Sequence, residues 1–144
     1  MSKTLFGIAL VVALDVSAQV ATGQTIKARA GVCEREAEKL LGQKAVRIGD
    51  SIRPPRKLRG SSPKLPELPP GTTAMGMWIG EVSIDASGKV REVWPIREVR
   101  LKPAFPALNQ AVVDAIRRWE FEPLLLNGMP TPFCMTVSNN IDFQ

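Results

Sequence analysis

Six prolines (Pro54, Pro55, Pro63, Pro66, Pro69 and Pro70) fall within residues 53–71, and chain that dense in proline runs neither as continuous helix nor as a central strand. That stretch is an extended linker or a strap laid over a domain. The whole chain has 144 residues, enough for one small globular domain and too few for two substantial ones, so regular structure has to come from the segments on either side of the prolines.

At the N-terminus, Lys3 precedes ten apolar residues, 5–14, and the small triplet Val16-Ser17-Ala18 follows. This pattern is that of a secretory signal over residues 1–18 cleaved after Ala18. Ten helical residues reach only about 15 Å, against a hydrocarbon core of about 30 Å. The mature chain is therefore expected to start at Gln19 and to be soluble, periplasmic or secreted. The alternative is an uncleaved N-terminus anchored in the inner membrane.

Residues 19–62 form a basic arm. Between Lys27 and Lys64 there are eleven Lys or Arg and four acids, net +7, whereas the chain beyond holds seven and nine, net −2. Such an arm suits anionic lipid headgroups or an acidic partner; export argues against nucleic acid, and a solvated linker is the bland alternative. Within it, residues 30–44 carry Val32, Ala37, Leu40 and Leu41 as a partial apolar stripe, which predicts one short amphipathic helix ended by Gly42.

From Gly76 the apolar period becomes two: Trp78, Gly80, Val82 and Ile84 alternate with Ile79, Glu81, Ser83 and Asp85, the pattern of a half-buried strand. Asp85-Ala86-Ser87-Gly88 predicts a hairpin turn into a second strand carrying Val90, Val93, Trp94 and Ile96, and Pro95 places that strand at an edge or marks a bulge. Leu108, Val112, Ala115, Ile116 and Trp119 then recur at helical spacing, with Pro106 or Asn109 at the start and Pro123 past the end. Trp119 and Phe121 are expected in the core. After the tight-turn pair Asn127-Gly128, residues 133–143 alternate Phe133, Met135, Val137, Ile141 and Phe143 with Cys134, Thr136, Ser138, Asn140 and Asp142, a strand with one apolar and one polar face. The expected fold is α+β: a small antiparallel sheet of about three strands with one main amphipathic helix on one face.

The chain has no His and no Tyr, and only two Cys. Ser-His and Cys-His pairs are thereby excluded, and a four-ligand Cys/His zinc site cannot be assembled. No catalytic residue, cofactor or metal is expected, and the chain is read as a non-enzyme.

The run from Ile84 to Val90 (IDASGKV), the run from Leu108 to Pro123 (LNQAVVDAIRRWEFEP) and Asn127-Gly128-Met129-Pro130 together resemble the C-terminal domain of the TonB family of energy transducers. The likeness covers residues 63–143, and the domain is set at residues 63–144. It implies an envelope module that binds an extended segment of an outer-membrane transporter, or another envelope protein, as an added strand beside its own last strand. Thr136, Val137, Ser138, Asn139, Asn140 and Ile141 are then the partner-binding edge, with the edge covered by the chain's own proline-rich lead as the alternative. Transducers of that family also carry a membrane helix with a protonatable His, a long proline-rich spacer and a Tyr-Pro pair before the first helix; here there is no His, residues 19–62 number only 44, and Leu65-Pro66 stands at the pair. A scaffold protein that docks through its basic arm, without strand pairing, is the second reading. Cys33 and Cys134, in an oxidising compartment, form either a disulfide, which would hold the N-terminal helix across the face opposite Trp119, or two unpaired thiols, or leave one thiol buried as a small apolar residue.

Overall fold

The computed structural model describes residues 31–49 and 51–143, so the signal-like segment 1–18 lies outside the described residues. Among the described residues no helix is long and apolar enough to cross a membrane. In chain order the elements are α1 (Val32–Leu41), β1 (Val46–Arg47), β2 (Lys57–Arg59), β3 (Ala74–Ile84), β4 (Val90–Arg97), α2 (Pro106–Arg117), β5 (Glu120–Phe121), β6 (Leu125–Leu126), β7 (Met129–Pro130) and β8 (Phe133–Phe143).

The fold is α+β. Its main sheet has four strands in the order β1-β8-β3-β4, and two short ribbons pair β2 with β5 and β6 with β7. The expectation of about three antiparallel strands is corrected by β1, which pairs parallel with the start of β8 through Val46↔Phe133 and Arg47↔Cys134. A two-residue strand is too short to show a period of two. The three long strands are antiparallel, and β3 and β8 stay in one register from Ala74↔Phe143 to Ile84↔Phe133 without a bulge.

Alternation along these strands divides the sheet into two faces. Trp78, Val82 and Ile84 of β3 and Phe133, Val137 and Ile141 of β8 share a face and bury it against Leu108, Val112 and Ile116 of α2. The one main helix, α2, covers this face as expected, and the short α1 lies on the other. There Glu81 and Ser83, the polar half of the β3 alternation, are fully buried instead of solvated, and Cys33 and Ala37 pack with Cys134.

The turns follow their residues. Asp85 Oδ1 accepts hydrogen bonds from the amides of Ser87 (2.9 Å) and Lys89 (3.1 Å), and Gly88 closes the turn at φ +90. Asn127 (φ 51) and Gly128 (φ 76) are both left-handed, as a two-residue hairpin turn requires. Pro106 opens α2, but Asn109 is not its cap: its side chain both donates to and accepts from the Val99 backbone at 3.0 Å, tying the end of the β3–β4 hairpin to the helix.

Phe121 is buried, edge-on to Phe133 with ring centroids 6.1 Å apart, but Trp119 lies beyond the last turn of α2 and is half-buried. The proline-rich stretch covers it as a strap. Lys57 Nζ sits 4.0 Å over the Trp119 ring, the Ser61 carbonyl accepts from the indole at 3.4 Å, and Leu65 and Leu68 pack on the core. The fully buried tryptophan is Trp78.

Candidate binding edge and its clamp

A sheet has two edges, and here they differ in what guards them. The β4 edge carries Pro95, two register irregularities against β3 and the charged Arg91, Glu92 and Arg97. These are the devices by which proteins prevent foreign strands from pairing. Among the described residues the β8 edge is covered only at its start, where the amides of Val46 and Ile48 donate to the carbonyls of Pro132 (3.0 Å) and Cys134 (2.8 Å). The chain then turns away through the Gly49↔Ile52 bridge.

Which groups remain open follows from parity. The Pro132 and Cys134 carbonyls face β1, and β8 has no bulge, so the backbone groups of Thr136, Ser138 and Asn140 also point away from β3. Among the described residues nothing pairs with them. Of the six residues singled out in the sequence, Thr136, Ser138 and Asn140 are exposed, whereas Val137 and Ile141 are buried in the core and Asn139 is half-buried on that same face. The edge therefore offers alternate residues. The strip contains no Lys, no Pro and no irregularity.

Beside the covered start of this edge lies a clamp, whose disulfide was one of the alternatives open in the sequence and whose polar part, Glu81 with Arg47 and Glu34, was not foreseen. Cys33 and Cys134 are joined by a disulfide, with Cα atoms 5.9 Å apart, and both are fully buried. The same first turn of α1 is held by Glu81, whose carboxylate accepts from the amides of Gly31 and Cys33, the latter at 2.8 Å. Gly31 is the N-cap and brings no side-chain cap of its own, so Glu81 supplies from β3 the acceptor that a local Ser or Asp ordinarily provides. Arg47 of β1 donates to Glu81 at 2.7 Å, to both oxygens of Glu34, and to Thr136 Oγ1 at 3.4 Å. Burial pushes the Glu34 carboxyl upward, but its hydrogen bonds to Arg47 and to backbone outweigh that and hold it below the usual carboxylate range. The hydrogen bond to Glu34 likewise raises the Arg47 guanidinium further above its ordinary value, against the effect of burial. The signal in the sequence was slender: Glu81 is the one charged residue in β3.

Among the described basic residues of the stretch 27–64, some contact the chain's own groups and others, Lys44, Arg53 and Lys64, stay exposed without an ion pair. Arg56 pairs with Glu122 at 2.6 Å, Arg59 with Glu120 at 3.9 Å, and Lys57 covers Trp119. Among the described residues no cluster of three or more Cys, Asp or Glu stands ready to hold a metal ion.

No family model matches the chain, and no curated protein matches it either.

Proposed function

We propose that this chain is an envelope binding module of the TonB C-terminal type, which takes an extended segment of an outer-membrane transporter or another envelope protein as an additional strand along β8. The observation that carries this reading is the contrast between the guarded β4 edge and the unguarded strip at Thr136, Ser138 and Asn140. An unguarded edge is a standing invitation to strand addition, and a chain that keeps one while blocking the other has a use for it. Support from the sequence is the resemblance over residues 63–143 and the export signal. The reading of a scaffold docked through its arm has no comparable contrast behind it: Arg56, Lys57 and Arg59 contact the chain's own groups, and exposed Lys44, Arg53 and Lys64 fit a solvated linker equally well.

Amide exchange on the full mature chain, with and without an outer-membrane protein extract, tests the proposal. The amides of Thr136, Ser138 and Asn140 should gain protection in the presence of the partner. Unchanged exchange at these three, with a partner demonstrably bound, would refute strand addition at this edge.

A further inference from the structure

The half of the outer sheet face that α1 leaves uncovered carries apolar residues beside unpaired charge. Met75 and Met77, 75% and 44% exposed, continue through the half-buried Ile79 on one face of β3. Their neighbours on β8 are Asp142, opposite Met75, and Asn140, opposite Met77. The other flank is basic. Arg97 lies opposite Ile79, Val99 approaches Gly76, and Lys102 bridges to Thr73, so residues 97–102 run alongside β3 down to its start. Val99 and Leu101 point into the core, which turns Arg100 and Lys102 outward. Arg97, Arg100 and Lys102 are exposed and their side chains make no hydrogen bond or ion pair among the described residues, unlike those of Arg56 and Arg59; Glu98 is the one acid on this flank.

Resting on the strand-addition reading, we infer that the partner's segment continues beyond the added strand and crosses this open face, laying apolar residues on Met75 and Met77 and acidic residues against Arg97, Arg100 and Lys102. Sheet spacing fixes its layout. From an added strand across β8 and β3 to the basic flank is three strand spacings, about 14 Å, so at least about four extended residues separate the pairing stretch from the acids. A polypeptide suits this face better than a bilayer does. Asp142 stands directly across from Met75, and pressing both into lipid would strip water from a carboxylate at a cost larger than one methionine returns, whereas a crossing peptide leaves that carboxylate in water.

The test uses the full mature chain and two fluorescein-labelled peptides, each with alternating Val and Thr residues, then Ser-Leu-Ser-Leu, then either three Glu or three Lys. At low salt the Glu peptide should bind about tenfold more tightly than the Lys peptide, and high salt should shrink the difference. Arg100→Glu with Lys102→Glu should abolish or invert the preference, Met75→Ser with Met77→Ser should weaken both peptides, and Ser138→Pro, with fold checked by circular dichroism, should abolish both. Equal binding of the two peptides, lost in Ser138→Pro, overturns the crossing segment and leaves strand addition standing. Binding that survives Ser138→Pro, or no binding of either peptide, overturns both readings. Co-sedimentation with phosphatidylglycerol–phosphatidylcholine vesicles, lost in the methionine variant, would assign the face to a bilayer and likewise overturn the proposal.

Discussion

Glu81 is a fully buried carboxylate with three donors around it: two amides from the first turn of a helix and one guanidinium. Each is worth more to a charged acceptor than to a neutral one, and each would be left unsatisfied, out of water, if the acceptor went. Glu81→Gln keeps the shape but offers one acceptor oxygen in place of two, so it should lower the free energy of unfolding by about 2 to 3 kcal/mol, read from urea midpoints. The tryptophans separate in the same assay. Trp78→Ala opens a cavity in the centre of the core and should cost about 3 to 5 kcal/mol or leave the chain unfolded. Trp119 is half-buried under a strap that can settle, so Trp119→Ala should cost clearly less, and equal losses would show that the strap, too, is core.

At the scale of elements, α1 is the one whose place depends most on a single bond. Its ten residues are too few for a helix to persist alone, and it buries only Cys33 and Ala37. The disulfide closes a separation of 101 residues, worth about 4 to 5 kcal/mol in the chain-entropy picture. Cys33→Ser with Cys134→Ser should therefore lower stability by several kcal/mol, and the amides of α1 should exchange well before those of β3 and β8. Simultaneous exchange of all three would show that packing and Glu81 hold the helix unaided. This dependence also explains what could be read beforehand. The elements β3, β4, α2 and β8 each repeat an apolar period several times over, so their own residues announce them, and β8 spans Phe133–Phe143 as its alternation implies. Glu81 was misplaced into solvent because its burial is decided by a helix from the far end of the chain. The open edge was half legible: its residues were, but whether the proline-rich lead covered them was a question of tertiary geometry, and the lead went to Trp119 instead.

At the scale of the whole molecule, three carboxylates among the described residues tie stability to acid. Burial raises Asp85, but hydrogen bonds from Ser87 and Lys89 and the charge of Arg91 bring it below its ordinary value; Glu92 is lowered against burial by Arg117 and the Val93 amide, and Glu34 by Arg47. A carboxyl depressed on folding contributes stability that is complete above its unfolded pKa, about 4, and is lost as the pH falls through the folded value. Melting temperature should thus hold from neutrality to about pH 5 and drop below about pH 4, and Asp85→Asn should start lower and drop less.

The unlike edges also bear on how copies of the chain behave when crowded. A subunit with two receptive edges is a monomer for polymerisation, each addition leaving a fresh end. Among the described residues this one has a single receptive edge, so when two copies join β8 to β8 both remaining ends are β4, with Pro95 and its irregularities, and growth terminates. Concentrated protein should therefore saturate at a pair in light scattering and yield no fibrils, whereas relieving the block, by Pro95→Val together with removal of the flanking charges, should convert a chain-terminating edge into a propagating one.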